Sequence, residues 1–353
     1  MNQSVEVVAA ADALSVTSDA GEAEWDRFVR SHPEGTGYHL WRWRRIFEGA
    51  FGHRTEYLAV REGGAIVGVL PLVVLSSRLF GRFMVSLPFV NYGGMLAHTD
   101  DARRALLDRA IGLARNAGLS HVELRHRART LSTLSVKEHK VAMLLRLPAD
   151  TETAWNGLQR NVRNHVRKGQ KQNLTVSVGG RELVDDFYRV FARNMRDLGT
   201  PVYSRDLFER LLDEFPEDAR VFTVKLSGAP IAAGITYGYR DMVEVPWSSS
   251  LREYRELSAN NLLYWTMLEH AITSGYKVFD FGRSSPGDGP FQFKRQWGAQ
   301  PEQLYWEYAL LTSDRLPDQS PRNPKFRLAI NAWKRMPMAL ANRLGPHLVR
   351  SIP

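Results

Sequence analysis

The feature that most constrains the fold is an internal repeat that places strands and helices in the same order twice. Each copy has two strands joined by a glycine turn, then a long amphipathic helix ended by glycine, and then a buried-looking strand. The matching segments are residues 57–72 and 221–237 for the hairpins, 101–118 and 258–275 for the helices, and 121–125 and 277–281 for the last strands. The shared order favours a duplicated α/β unit.

Two shorter helices are predicted before each hairpin, at residues 23–30 and 40–51 in the first copy and at 187–197 and 205–215 in the second. The unit is therefore β-α-α-β-β-α-β, and the predicted fold class is α/β, with two tandem domains of mixed central sheets flanked by helices. Pro148 ends a strand between the copies and suggests the boundary. We expect a first domain at residues 1–148, a second at 149–312 that holds the main active cleft, and a basic tail at 313–353.

Several chemistries are excluded by residues that the chain lacks. It contains no cysteine, which rules out a disulfide scaffold, thiolate catalysis, cysteine-ligated zinc and iron–sulfur clusters. It also lacks the phosphate-loop, zinc-protease and serine-hydrolase motifs. No metal site is expected.

The start of the chain does not resemble a secretory signal, because residues 1–13 include Glu6 and Asp12 and no basic stretch before an apolar run. The longest apolar run, at residues 65–75, is far shorter than the ~20 residues that cross a bilayer. We therefore expect a cytoplasmic protein.

The positive charge is concentrated at the end of the chain. The formal net charge is +9, and residues 319–353 contain seven basic residues, several aromatic and aliphatic residues and no acid. Such a segment can lie on an anionic membrane surface, or it can pack on the body of the protein with a solvated basic side. Pro337 and Pro346 are expected to break any long helix there.

A second basic feature is a predicted helix at residues 152–171. Its apolar stripe is formed by Trp155, Leu158, Val162 and Val166, and its basic stripe by Arg160, Arg163, Arg167 and Lys171. Like charges at this spacing repel one another, so a phosphate-bearing substrate or an RNA would stabilise the stripe. A solvated surface helix is the alternative.

The segment at residues 279–298 combines a strand, a glycine-, serine- and proline-rich loop and an aromatic–basic cluster. In α/β proteins, ligands bind at loops beyond strand ends. Arg283 and Lys294 are candidate stabilisers of an oxyanion or a phosphate, and Asp280 is a candidate orienting group or base. The alternative is a loop held by an Asp280–Arg283 pair, with Lys294 at the surface.

Two further segments are candidate binding elements. At the start of the helix 258–275, Ser258 and Asn260 are small polar residues whose backbone N–H groups can meet an anion, with Arg255 just upstream; Ser258 can equally be a helix cap. In the first half, Asn91 and Tyr92 precede two glycines that permit close backbone approach.

At these segments the sequence resembles the FemAB-like acyltransferases of the GNAT superfamily, which often carry two GNAT-like domains in tandem. The resemblance covers roughly residues 25–310. Its most specific part is residues 279–284 with Phe293, Lys294, Trp297 and Gly298, supported by residues 38–41, 87–94, 160–168 and 199–203. The sequence is most similar to the branch associated with exosortase and PEP-CTERM exopolysaccharide systems of Gram-negative bacteria.

The resemblance implies transfer of an acyl or aminoacyl group to an amine. In the relatives that build peptidoglycan bridges, the donor is aminoacyl-tRNA and a lysine of a Phe-Lys motif steadies the transition state; Lys294 matches that lysine. For the exopolysaccharide branch, the implied acceptor is an amine on a lipid- or nucleotide-linked saccharide. No tightly bound cofactor is implied, and acyl-CoA, acyl carrier protein or aminoacyl-tRNA would serve as co-substrate.

For an acyl transfer of this kind, we expect roles for the other candidates. Asp280 and Arg283 would hold the loop or the substrate, and Arg160, Arg163 and Arg167 would bind the phosphate of a donor or acceptor. Tyr203, Trp247 and Phe293 would line the cleft.

One departure concerns the donor. Acetyl-CoA enzymes of this superfamily carry R/Q-x-x-G-x-G/A before the long helix, but residues 255–261 contain no glycine, which speaks against acyl-CoA. Two other classes of function use the same features: a non-catalytic RNA-binding module built on the basic helix, and a membrane-surface scaffold built on the tail at the inner face of the cytoplasmic membrane.

Overall fold

The computed structural model describes residues 13–77, 80–317 and 324–352. The elements of the first half are β1 (Ser15–Thr17), α1 (Glu22–Ser31), α2 (Arg42–Phe51), β2 (Arg54–Glu62), β3 (Ala65–Ser77), β4 (Gly81–Val85), β5 (Leu96–Ala97), α3 (Asp100–Asn116), β6 (His121–His126) and β7 (Ser135–Arg146). The predicted helix pair, hairpin, long helix and strand are all present.

The second half repeats this order after two additional helices. Its elements are α4 (Thr151–Gly157), α5 (Arg160–Gln170), β8 (Leu174–Gly179), α6 (Val184–Leu198), α7 (Arg205–Glu214), β9 (Ala219–Leu226), β10 (Ala229–Tyr239), β11 (Met242–Ser250), α8 (Ala259–Thr273), β12 (Val278–Asp280), α9 (Gly289–Gln296) and β13 (Gln300–Leu310). Short 3₁₀ turns occupy Gly37–His39, Arg181–Leu183 and Arg252–Leu257. Two tail helices follow, α10 (Pro324–Lys334) and α11 (Met338–Val349).

The strands of both halves form one continuous mixed sheet, with the order β1-β2-β3-β4-β6-β13-β7-β12-β11-β10-β9-β8, and β5 pairs with β3. The halves meet by exchanging strands. The last strand of the second half, β13, pairs with β6 of the first, while β7 of the first half pairs with β12 of the second. In each half one pair is parallel, β4 with β6 and β11 with β12. The predicted α/β class is confirmed, and the two halves share one sheet through this exchange.

The helices cover both faces of the sheet. On one face, α1, α2, α6 and α7 bury a core that spans the two halves, including Trp25, Trp43, Phe187 and Phe208. The other face is covered by α3 over the first half and by α5 and α8 over the second. Since burial of apolar surface is the main driving force for folding, the shared core fixes the halves against each other.

The predicted helix at residues 152–171 is in fact two helices. Leu158 and Gln159 have extended backbone with ψ near 145° and 147°, so α4 ends before them and α5 starts after them. The break lets Leu158 enter the core while Val162 and Val166 of α5 are buried against α8. A single straight helix is therefore not formed.

The tail packs on the body through α6. Trp333, Ala341 and Val349 are buried, and Gly345 lies so close to Val202 that a methyl group there would meet it at 2.9 Å. Pro337 separates the two helices as predicted, but Pro346 lies within α11, so the expectation that it breaks the helix is wrong.

Candidate functional site

A cleft opens where the parallel pair β11 and β12 separates. The pair is in register only for residues 242–244 with residues 278–280, and β11 is irregular against β10 between Trp247 and Glu244. Beyond that point the two strands enclose a cleft of about 530 Å³. The cleft is lined by Asn91, Asn194, Leu198, Val245, Pro246, Ser248, Ser249, Ser250, Asn260, Tyr264, Phe281, Gly282, Arg283, Gly289, Pro290, Phe293 and Lys294.

Lys294 projects from α9 into the wall of this cleft and is only 8% exposed. Its Nζ donates hydrogen bonds to the carbonyl oxygens of Gly282 at 2.9 Å and Arg283 at 3.1 Å. An ammonium group has three donors, so one N–H beyond these two contacts remains for a group in the cleft. Burial lowers the pKa of Lys294 to about 8, against the opposing effect of the Asp280 and Glu244 carboxylates.

Two buried carboxylates lie beside this lysine at the point where the strands part. Asp280 and Glu244 are opposite each other in the β11–β12 register. Asp280 accepts hydrogen bonds from the Gly282 N–H at 2.8 Å and from the Tyr92 hydroxyl at 3.1 Å, and Glu244 accepts one from the Asn91 amide. Burial raises the pKa of Asp280, and burial together with Asp280 raises that of Glu244 to about 8.

Glu244 was not among the residues predicted for the site. A signal was present, since it is an acid within an otherwise apolar strand, residues 242–247. Its significance depends on a contact with Asp280 and Asn91, which lie far apart in the sequence and meet only through the shared sheet.

Arg283 also lines the cleft, but it does not hold the loop by pairing with Asp280. Its Nη1 donates to the carbonyl oxygen of Val90 at 3.3 Å, and its guanidinium carbon lies 5.3 Å from the ring centroid of Trp306. Arg125 contacts the same ring at 4.2 Å. Burial and the nearby Arg125 lower the pKa of Arg283 to about 10. The loop is anchored instead by Lys294.

Asn91 and Tyr92 come from the segment at residues 87–94, which follows β4 in the first half. Beyond the short β4–β6 pair, this segment is entirely buried and bonds to β6 through Gly93 N–H and the Arg125 carbonyl at 3.1 Å. A Cβ on Gly94 would lie 1.9 Å from the His126 ring, so only glycine fits. Asn91 and Tyr92 of this segment reach Glu244 and Asp280 of the second half.

Of the three aromatic residues predicted for the cleft, Phe293 lines it, whereas Trp247 and Tyr203 do not. Phe293 lines the cleft and packs edge-on against Tyr264 at 5.1 Å. Trp247 is 94% buried in the core against Phe208, because the irregularity in β11 turns it to the face opposite Val245. Tyr203 packs among Phe51, Phe89, Phe191 and Phe208 rather than in the cleft wall.

The basic stripe lies outside the cleft. Arg160 and Arg167 are exposed on α5, and Arg163 is partly exposed; Arg163 reaches the Asn156 carbonyl at 3.5 Å and Arg167 stacks on Trp155. Within the described parts of the chain, none of these three arginines forms an ion pair. The opposite side of α5 packs on α8, with Gly169 against the Ser258 carbonyl, so the stripe lies on the side of α5 away from α8.

At the start of α8, only Asn260 of the predicted donor-binding residues lines the cleft. Arg255 is exposed on the preceding 3₁₀ turn. Ser258 is buried, has a left-handed backbone with φ of 57° and bonds to His165 at 3.3 Å. Its side chain does not cap the helix.

Over the ranges 13–77, 80–317 and 324–352, no group of three or more potential metal ligands is found. Within the same ranges, no helix has the length and apolar character needed to span a bilayer.

Comparison with known proteins finds a family match for part of the chain. Residues 157–295 match the family model described as an acetyltransferase (GNAT) domain. That range, under half of the chain, contains α5, β8 to β12 and Lys294. No curated protein sequence matches the chain significantly.

Solved structures resemble most of the chain. A crystal structure of FemX has a TM-score of 0.63 at 16% identity and covers 90% of this chain and 100% of its own. A tandem GNAT protein from the clavulanic acid biosynthesis pathway has a TM-score of 0.58 at 13% identity, with coverages of 86% and 100%. The chain has the tandem GNAT fold. L-PGS from Bacillus licheniformis shares it at a TM-score of 0.55 and 11% identity, with coverages of 90% and 98%.

The GNAT part of the resemblance seen in the sequence is therefore confirmed. The exosortase and PEP-CTERM branch stays a prediction, as do the residue bounds of the domains.

Proposed function

We propose that the chain is an N-acyltransferase that joins an acyl or aminoacyl group to an amine in the cleft between β11 and β12. The observation that carries the proposal is Lys294, a buried ammonium held by the Gly282 and Arg283 carbonyls at the cleft wall. The match of residues 157–295 to a GNAT acetyltransferase domain supports the same reaction class.

In the proposed reaction, the acceptor amine attacks the carbonyl carbon of a thioester or aminoacyl ester. The carbonyl oxygen gains negative charge as the new C–N bond forms. Collapse of the intermediate breaks the C–S or C–O bond, and the leaving sulfur or oxygen takes the proton that the attacking amine nitrogen loses. A fixed donor aimed at that oxygen in a partly dry cleft stabilises the transition state. The third N–H of Lys294 supplies such a donor, because the hydrogen bonds to the Gly282 and Arg283 carbonyls fix the orientation of the lysine ammonium group.

The carboxylates of Asp280 and Glu244 would keep Lys294 in its ammonium form rather than contact the substrate. Asp280 is fully buried beneath the loop, and its charge favours the ammonium form of Lys294. Asn91 and Tyr92 bridge the carboxylates to the first half. We infer that the first half serves as a support that positions the loop carrying Gly282 and Arg283.

The donor is proposed to carry phosphate groups. Arg160, Arg163 and Arg167 form a basic surface without ion pairs to carboxylates of the described residues, on the helix that packs against α8. Acyl-CoA, aminoacyl-tRNA and acyl carrier protein with its phosphopantetheine all present phosphates. Because Ser258 replaces the expected glycine-rich turn with a buried, left-handed residue, we favour aminoacyl-tRNA or acyl carrier protein over acyl-CoA.

For the acceptor, we propose an amine on a lipid- or nucleotide-linked saccharide used in exopolysaccharide or cell-envelope synthesis. The support is the sequence resemblance at residues 279–284 and 293–298, together with the shared fold of FemX.

Thermal unfolding with acetyl-CoA, acetylated acyl carrier protein and alanyl-tRNA tests the donor. A ligand that binds the folded state raises Tm by mass action. A rise with one donor, followed by detection of acylated glucosamine by mass spectrometry, supports the proposal. RNA binding without any transfer product from all three donors would instead favour a non-catalytic RNA-binding module.

A further inference from the structure

The tail helices expose an unusual amount of apolar surface. Four large aliphatic side chains on α10 and α11 are exposed, with Leu328 at 80%, Leu340 at 49%, Leu344 at 42% and Leu348 at 47%. We call these four leucines the tail surface. Single exposed leucines are normal, but a group on one segment is typical of an interaction site.

The arrangement on α11 shows why the leucines remain uncovered. Its buried stripe, Ala341, Gly345 and Val349, faces the body. Each of these residues is directly preceded by a leucine, namely Leu340, Leu344 and Leu348. The leucines have the same four-residue spacing, so they form a separate row beside the buried stripe. The helix therefore already has its packing face, and the leucine row is additional.

Basic side chains border this row. Arg343 and His347 precede Leu344 and Leu348 by one residue and are exposed, as are Lys334 and Arg335 at the end of α10. Residues 319–353 contain no acid, and no Lys or Arg side chain described for the tail forms an ion pair with a carboxylate. Leucines in a row beside cations match the chemistry of an interface between anionic headgroups and acyl chains.

We propose that the tail surface docks the protein peripherally on an anionic lipid bilayer. Leu340, Leu344 and Leu348 enter the headgroup–acyl boundary, and Lys334, Arg335 and Arg343 contact the anionic headgroups. The helices lie on the bilayer and do not cross it.

The tail lies next to the rim of the cleft, so docking of the tail would bring the cleft close to the bilayer. Leu198, at the end of α6, is 53% exposed and lines the cleft. The next residue, Gly199, lies against Ile330 of α10, and the Arg196 guanidinium donates to the Met336 carbonyl at 3.2 Å. The rim of the cleft therefore adjoins the tail. If the proposed acyl transfer is right, a lipid-linked substrate reaches the cleft while its anchor stays in the bilayer.

Sedimentation of the full-length protein with vesicles tests the docking. We expect binding to phosphatidylcholine mixed with phosphatidylglycerol, weak binding to phosphatidylcholine alone, and release by salt because the attraction is screened. Leu344→Gln with Leu348→Gln should weaken binding about tenfold, and Arg343→Gln about fivefold. Val178→Gln is the matched control, since Val178 is 44% exposed on β8, away from the tail, and it should bind like the wild type.

Because the chain has no cysteine, single cysteines carrying an environment-sensitive dye report insertion directly. Dyes at Leu344→Cys and Leu198→Cys should shift to the blue with anionic vesicles, and a dye at Val178→Cys should not. Absence of binding to anionic vesicles, or full binding by the double leucine variant, overturns the docking. A shift at position 344 without one at position 198 refutes the placement of the cleft at the bilayer. Vesicle binding needs neither donor nor acceptor, so its result is independent of the proposed acyl transfer.

Discussion

Replacement of Lys294 by alanine is the most informative perturbation of the site. The ammonium reaches the Gly282 and Arg283 carbonyls at 2.9 and 3.1 Å, so its third N–H has a fixed direction. Loss of one such oxyanion donor lowers kcat about 10²–10³-fold, or about 2.7–4 kcal/mol in activation free energy. We expect Lys294→Ala to lose turnover on this scale, with a much smaller change in KM.

The same substitution removes the partner of two carbonyl groups at a buried position, which costs about 1–3 kcal/mol in the free energy of unfolding. Since a domain has only about 5–15 kcal/mol in total, folding must be checked by thermal unfolding. Lys294→Met retains most of the side-chain volume without the charge and should lose the same turnover. Arg295→Ala, at an exposed basic residue on the same helix, is the matched control and should keep it.

The assay is the initial rate of transfer to glucosamine, measured by mass spectrometry with whichever donor raises Tm. A folded Lys294→Ala or Lys294→Met protein with turnover within a few-fold of the Arg295→Ala control would refute the role of the lysine.

Three further predictions follow from burial and charge. Glu244 has a pKa of about 8 in the folded state, above its ordinary value of 4.5, so the folded protein binds the extra proton and stability falls as pH rises from about 4.5 to about 8; Glu244→Gln should flatten this fall in urea denaturation, and an unchanged slope contradicts the assignment. The ammonium of Lys294 is lost as pH rises through about 8, so kcat should decline there; Lys294→Arg should move the decline to higher pH in a pH–rate profile, and a decline at the same pH in both proteins contradicts the assignment. Trp43 is 1% exposed and contacts Tyr237 of the second half, so Trp43→Ala should cost about 3–5 kcal/mol in chemical denaturation, and a cost below 1 kcal/mol would contradict a core shared by the halves.

Much of the fold could be predicted because the signals are local. Alternating and helical periodicity identified both hairpins, and the helices that begin at Asp100 and Ala259 were expected at nearly the same residues. The exchange of β7 and β13 could not be predicted, since strand pairing depends on contacts between residues far apart in the chain. The break at Leu158 also depends on distant packing, against α8.

The same contrast between local signals and contacts of distant residues applies to the site. Asp280, Arg283 and Lys294 were predicted together because they are close in sequence. In the structure Arg283 and Lys294 line one cleft with Asn91, and Asp280 is fully buried. Glu244 was missed because its carboxylate partner lies on another strand. Trp247 was expected in the cleft, but simple strand alternation fails at the irregularity in β11.

We propose that transfer takes place between β11 and β12 in the second half. Hydrogen exchange of the full-length protein, with and without the donor that raises Tm, tests this most directly. We predict donor-dependent protection of residues 245–250 and 281–294, and no change in strands β2 to β4 of the first half. Protection confined to the first half, or to the exposed side of α5 with none in the cleft, would contradict the account.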